Sequence, residues 1–282
     1  MRKRSSHESA FGVGQVPDLL PTGLLAYRAR TSGLLLGLDY DGTLAEIASA
    51  PELAWPAAGV CESLTRLSDP KLSTSIAVVI VTGRRIREVQ GLLGVSLAHV
   101  FFWGVHGLEV CEPGASPRFT RESLDCVSEL ASVRSWLDHH VPRERGFRVE
   151  DKEMAVGLHF REAAPALFEP LCREFASFVA EQTPRLKLLR LKMVLEALPR
   201  AAGKGQAIEQ TLLRSSRPFV PVFFGDDQTD EDAFAVLAPD GIGVMVGGAR
   251  ASRARWRVDG PSAVARELKE LEDALAATPQ TS

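Results

Sequence analysis

Four short apolar runs each lead into polar residues, and this repeated pattern constrains the fold more than any other feature of the chain. "GLLLGLD" reaches Asp39 and, two residues on, Asp41; "SIAVVIVTGRR" reaches Thr82, Gly83 and Arg84. "VFFWGVHGLEV" carries His106 and Glu109, and "FVPVFFGDDQTDEDAF" reaches Asp226, Asp227 and Asp230. A fifth run, "GIGVMVGG", lacks such an ending. Short β-branched runs with helical patterns between them ("IREVQGLLG", "DEDAFAVLA") predict buried strands joined by crossover helices. The expected fold is α/β, a Rossmann-like doubly wound parallel sheet. In open sheets of this kind ligands bind beyond the carboxyl ends of the strands, so distant polar residues are delivered to one place.

Between Pro117 and Pro199 the pattern changes. A helix ("RESLDCVSELASVRSWLDHHV"), two strand-like stretches ("FRVEDKE", "MAVGLHFR"), a second helix ("APALFEPLCREFASFVAEQ") and one last strand-like stretch ("KLLRLKMVLEAL") predict an inserted α+β unit. The expected organisation has a flexible N-terminal segment at 1–27, a core at 28–116 and 200–282, and a cap at 117–199, with hinges near 112–118 and 198–203. Strand alternation puts Glu150 with Lys152, His159 with Arg161, and Lys192 with Glu196. Such a face could hold a hydroxyl-rich ligand; the solvated side of a one-sided sheet has the same pattern.

Composition narrows the partners. A net charge of −3 gives no basic bias toward nucleic acid or an anionic membrane, so an anionic substrate must be held by local charges. The sequence contains neither an eighteen-residue apolar stretch nor an apolar core after the basic N-terminus, which predicts no membrane span, no secretory leader and a cytoplasmic setting. Cys61, Cys111, Cys126 and Cys172 are scattered, as free thiols would be.

Paired aspartates at a strand end suit phosphoryl transfer. Asp39 can attack phosphorus as a nucleophile once the substrate's charge is neutralised, and Mg²⁺ held by Asp39 and Asp226 would do that. Asp41 can protonate the leaving oxygen and later take a proton from water. Thr82 and Lys204 can grip the phosphoryl oxygens. Taken singly, each feature has an ordinary explanation: Asp-Gly is turn chemistry, and acidic residues suit a helix start. Their joint order favours the catalytic reading. The absence of a GxxxxGK[ST] loop argues against a kinase.

"LDYDGTL", "VTGR", the lysine of "GKGQA" and "FGDDQTDEDAF" resemble, in that order, the four motifs of the haloacid dehalogenase superfamily. The resemblance implies an aspartyl-phosphate mechanism with Asp39 as nucleophile, Asp41 as general acid/base, and Thr82 and Lys204 as phosphate binders. It also implies Asp226 as a Mg²⁺ ligand, the Asp41 carbonyl in the metal shell, and Asp227 and Asp230 in support. "GVHGLE", "VEDKEMAVGLHFR", "LKMVLEALPRAAGKG" and "GDDQTDEDAF" further resemble the trehalose-6-phosphate phosphatase family. That similarity implies sugar-binding roles for Glu150, Lys152, Arg161, Lys192 and Glu196, with Arg84, His106 and Glu109 near the substrate. It also implies a functional association with a trehalose-phosphate synthase. The family more often has asparagine where Val105 stands and tyrosine where Phe160 stands. Alternatives are a phosphatase or phosphomutase acting on another sugar phosphate, such as sucrose 6-phosphate, and a catalytically silent sugar-phosphate-binding domain.

Overall fold

The protein is described by a computed structural model covering residues 15–215, 217–237 and 239–277. In chain order the first part holds β1 (Asp18–Leu19), α1 (Leu24–Ser32), β2 (Leu34–Leu38), α2 (Val60–Leu67), β3 (Ile76–Val81), α3 (Ile86–Leu93), β4 (Phe101–Gly104), β5 (Glu109–Cys111) and β6 (Arg118–Phe119). The middle holds α4 (Arg121–Leu124), α5 (Val127–His140), β7 (Arg148–Asp151), β8 (Val156–His159), α6 (Pro165–Gln182), β9 (Leu186–Leu191) and β10 (Val194–Pro199). The last part holds α7 (Lys204–Arg214), β11 (Val220–Gly225), α8 (Glu231–Val236), β12 (Ile242–Val246), β13 (Trp256–Val258) and α9 (Pro261–Ala276).

A nine-stranded sheet runs β1-β13-β12-β11-β2-β3-β4-β5-β6. It is parallel from β1 to β4 and antiparallel from β4 to β6. Both faces are covered, as the continuous apolar runs predict. Leu34, Leu36 and Leu38 pack with α2 and α9, while Leu35 and Phe223 pack with Ile208 of α7 on the other face. Each fully buried leucine contributes roughly 2 kcal/mol, so the strand that ends at Asp39 is firmly set.

The second sheet, β7-β8-β10-β9, is antiparallel throughout. One face carries Val156, Leu158, Leu195 and Ala197 against Leu130, Val133 and Leu137 of α5 and Phe175 and Val179 of α6, forming a separate apolar core. The other face carries Arg148, Glu150, His159 and Glu196 beside Leu191 and Val194, and it turns toward the carboxyl end of the main sheet.

Several expectations change. Residues 15–27 carry regular structure: β1 pairs with β13, and Leu25 joins the main core. The rest of the expected flexible segment, 1–14, lies outside the described residues. The chain stays on the main sheet through β6, so it departs after Phe119 rather than at 116/117. "VFFWGVHGLEV" is two strands, β4 and β5, around a tight turn, and "KLLRLKMVLEAL" is the hairpin β9–β10. Lys192 therefore sits in a turn and shares no strand with Glu196. The long helix expected from Arg121 breaks into α4 and α5. Among the described residues no helix is long and apolar enough to cross a membrane, and all four cysteines are free.

Candidate active site

Three strand ends meet at one point. Leu38 of β2 lies opposite Phe224 of β11 on one side and Ile80 of β3 on the other, so Asp39, Asp226 and Thr82 emerge side by side. α7 packs closely on β2 because residue 37 is glycine: a Cβ there would meet the Phe223 ring at 2.7 Å and Ile208 at 2.8 Å. Lys204, the first residue of α7, is thereby buried against the strand ends. Its Nζ donates to Asp39 Oδ1 and to Asp230 Oδ1, both at 2.7 Å.

Carboxylate oxygens of Asp39, Asp226 and Asp230 lie within 4.8 Å of one another. Burial pushes the Asp39 carboxyl well above the usual range, opposed by Lys204 and reinforced by Asp230 and Asp226. Burial and the Asp230 charge push Asp226 up to about 7. The neighbouring carboxylates hold Lys204 above its ordinary value despite its own burial, so the ammonium stays charged. One ammonium against three crowded carboxylates leaves a deficit of positive charge, and an all-oxygen donor set of this kind fits a hard divalent cation. Asp230 belongs to this cluster directly, although the resemblance implied only support. Its Oδ2 also accepts from Asp227 N at 3.0 Å, while Asp227 Oδ1 caps Gln228 N at 2.6 Å.

Gly42 makes the cluster possible. Its φ is 76°, and a Cβ there would lie 2.0 Å from Asp226 Oδ2. Gly42→Ala is expected to displace Asp226, add about 1 kcal/mol of left-handed strain, and weaken divalent-cation affinity by at least about tenfold in a calorimetric titration. Unchanged affinity would remove Asp226 from the cation site.

Asp41 stands apart from the trio. Arg84 Nε and Nη2 each donate to one of its oxygens at 2.6 Å, and Arg84 Nη1 donates to Pro51 O at 2.8 Å. Thr82 is buried, and its Oγ1 accepts from Arg84 N at 3.2 Å. His106 arrives on a turn of three left-handed residues, Val105 (φ 48°), His106 (φ 55°) and Gly107 (φ 92°). Backbone bonds pin that turn: Val105 N to Arg84 O at 2.8 Å, His106 N to Thr82 O at 2.9 Å and Gly203 N to His106 O at 2.7 Å. A β-branched valine is strained there by roughly 1–2 kcal/mol, whereas asparagine tolerates this backbone better. The family's commoner residue at Val105 thus has a physical reason.

The second sheet supplies the facing wall. Register places Glu150, Gly157 and Glu196 in one cross-strand row and Arg148, His159 and Val194 in the next. His159 Nε2 lies 2.8 Å from Glu150 Oε2, and Arg148 Nη2 lies 3.2 Å from His159 Nδ1. Arginine only donates, so Nδ1 accepts and Nε2 donates. The His159 hydrogen bond, helped by Lys152, holds the Glu150 carboxyl below its usual range in spite of burial. Lys152 Nζ lies 2.8 Å from Glu196 Oε1 and 3.9 Å from Glu150 Oε2. Glu196 is fully buried and also meets His106 Nε2 at 3.3 Å, linking the two sheets.

Between the walls lies a cavity of about 370 Å³, lined by Asp39, Asp41, Arg84, His106, Lys204, Asp226 and Asp227 on one side and Arg148, Glu150, Lys152, His159 and Arg161 on the other. Thr82, Asp230 and Glu196 lie behind these walls. Glu109 does not reach the cavity; it is buried against Arg85, and Lys192 is exposed in its turn. Arg148 escaped the sequence reading, though its period-two spacing from Glu150 and Lys152 marks the same face. A cavity of about 390 Å³ at the N-terminal end of β12, lined in part by Arg28, Arg253, Arg255 and Trp256, has no comparable cluster of carboxylates and lysine.

Comparison with known proteins gives a consistent answer. The sequence model of one family, described as trehalose-phosphatase, matches residues 37–262. A trehalose-phosphate phosphatase of Mycobacterium tuberculosis is 30% identical over 278 residues, covering 95% of this chain and 68% of that protein. The structure of Aspergillus fumigatus trehalose-6-phosphate phosphatase aligns with a TM-score of 0.71 and 25% identity over 92% of this chain and 99% of that one. The C-terminal domain of the Candida albicans trehalose-6-phosphate phosphatase shares the fold, with a TM-score of 0.77 and 23% identity over 91% of this chain and 99% of that one.

Proposed function

The chain belongs to the trehalose-phosphatase family, and on that premise we propose that it hydrolyses trehalose 6-phosphate to trehalose and phosphate, with Mg²⁺ as its cation. The observation that carries this reading is the two-walled cavity, which sets the Asp39–Lys204–Asp226 cluster opposite the charged sheet face. One wall suits a phosphoryl group and the other suits sugar hydroxyls, whose donors and acceptors each need a partner once buried.

In this mechanism an Asp39 oxygen attacks phosphorus, the bond from phosphorus to the sugar oxygen breaks, and Asp41 gives that oxygen its proton. Water then attacks the aspartyl-phosphate, passes a proton to Asp41 and releases phosphate. Lys204 sits on Asp39 and counters the charge that builds up on the phosphoryl oxygens. Thr82 offers them its hydroxyl. Asp39, Asp226 and Asp230 would hold Mg²⁺, which when bound neutralises phosphoryl oxygens and keeps the carboxylates ionised. Arg84 engages both Asp41 oxygens and so orients the carboxyl at the cavity edge. Glu150, Lys152 and Arg161 read the sugar and Glu196 acts through Lys152, whereas Glu109 and Lys192 do not line the cavity.

The core-and-cap division completes the proposal: residues beyond Phe119 to about Arg200 form a cap whose closure excludes bulk water. A cytoplasmic setting and a trehalose-phosphate synthase as the source of substrate belong to the same reading. The test is phosphate release from trehalose 6-phosphate, sucrose 6-phosphate, glucose 6-phosphate and glucose 1-phosphate, with Mg²⁺ or with EDTA. Preference for trehalose 6-phosphate by at least about tenfold in kcat/KM, abolished by EDTA and restored by Mg²⁺, is expected. Preference for another member would overturn the substrate; no release from any would overturn the chemistry.

A further inference from the structure

Arg84 and Arg85 are adjacent but serve different partners. Arg84 holds Asp41, while Arg85 turns away from the cavity and is buried. Arg85 Nη2 and Nε donate to Glu109 Oε1 and Oε2 at 2.9 and 3.1 Å, and Glu109 Oε2 also accepts from Ile86 N at 2.8 Å. The guanidinium lies over the Phe119 ring, 4.7 Å from its centroid. Its remaining Nη1 crosses to the second sheet and donates to Glu153 Oε1, in the turn between β7 and β8.

Glu153 occupies an unusual position for its residue type. Its φ is 67°, a left-handed conformation that glycine adopts freely and that costs another residue about 1 kcal/mol. On its own side the turn is already well held. Arg134 donates to Asp151 at 2.6 and 2.9 Å and to Glu153 O, and Glu153 N donates to Asp151 Oδ1 at 2.8 Å. The Glu153 carboxylate is not needed for those bonds. Its contact is with the main sheet, one residue beyond Lys152.

We propose that Arg85 and Glu153 are positioning residues: their ion pair docks the β7–β8 turn on the main sheet and presents Lys152 over the phosphate site. Glu109 fixes Arg85 from behind, so the arginine is a rigid anchor and Glu153 the detachable hook. The Glu153 side chain is 52% exposed, and an ion pair of that exposure is weak enough to open for substrate entry. The pair acts on sugar binding and leaves phosphoryl chemistry to Asp39. This inference rests on the reading that Lys152 meets the sugar.

The test compares Glu153→Gly, which removes the carboxylate and suits the left-handed backbone, with Glu153→Gln, which keeps an acceptor. For trehalose 6-phosphate, KM of Glu153→Gly should rise about fivefold with kcat within about twofold, while Glu153→Gln should lie between it and the parent. Kinetics on p-nitrophenyl phosphate should not change. An unchanged KM, or equal losses on both substrates, would overturn the proposal. Amide exchange at Lys152 and Met154 gives a readout independent of substrate: it should quicken in both variants, and unchanged exchange would also overturn the docking role. If the parent protein ignores trehalose 6-phosphate, the functional reading fails and exchange alone decides the docking contact.

Discussion

Asp39→Asn will lower phosphate release from trehalose 6-phosphate by about three orders of magnitude or more, because an amide oxygen cannot form the covalent intermediate that divides the reaction into two easier steps. The fold should survive the change. Asparagine matches the buried shape of Asp39, and Lys204 keeps Asp230 as a partner at 2.7 Å. Taking one charge out of a crowded trio of carboxylates also relieves repulsion, so the melting temperature without metal should hold or rise. Steady-state kinetics, a thermal melt and intact-protein mass after rapid quenching check the three parts. Near-normal turnover with an intact fold would remove Asp39 as the nucleophile.

Glu196→Gln should have the second largest effect, on both stability and sugar recognition. Burial alone would raise the Glu196 carboxyl, but the Lys152 ammonium and the His106 hydrogen bond hold it down to about 2, against an ordinary 4.5. A depressed carboxyl contributes stability that is fully present above its unfolded value and is lost as pH falls through its folded value. The window here runs from about pH 4.5 down to about 2, and the contribution is on the order of 3 kcal/mol. At pH 7 the glutamine variant should be less stable by about that amount, since Lys152 is left facing only Glu150 across a longer gap. Denaturant melts of the parent and the variant should converge by about pH 2. Curves that stay parallel throughout would mean that Glu196 is not a buried ionised partner. KM for trehalose 6-phosphate should rise as Lys152 loses its anchor, while p-nitrophenyl phosphate should be little affected.

The places where sequence reading failed share a cause. The β9–β10 hairpin turns at Lys192 and Met193, and Met193 has a φ of 63° with no glycine, asparagine or proline to announce it. The stretch "KLLRLKMVLEAL" therefore reads as one strand in sequence, whereas Lys192 occupies the turn between two. The β4–β5 turn likewise uses Val105 and His106 in left-handed conformations, with only Gly107 as a signal. Arg85 was passed over because neighbouring arginines look alike in sequence, and nothing local says that one holds Asp41 while the other bridges two sheets.

By itself the sequence determined the elements and the chemistry on offer: apolar runs that bury on both faces, helices between them, and carboxylates, threonine and lysine at their ends. Those features depend on local periodicity and residue type, which any window of the chain displays. Only the tertiary structure decided who meets whom. It put Asp230 beside Asp39, gave Asp41 to Arg84, buried Glu196 between Lys152 and His106, and turned Glu109 away from the cavity. These partnerships join residues distant in sequence across strand ends and between two sheets, so their distances are set by sheet register and packing, which no local stretch encodes.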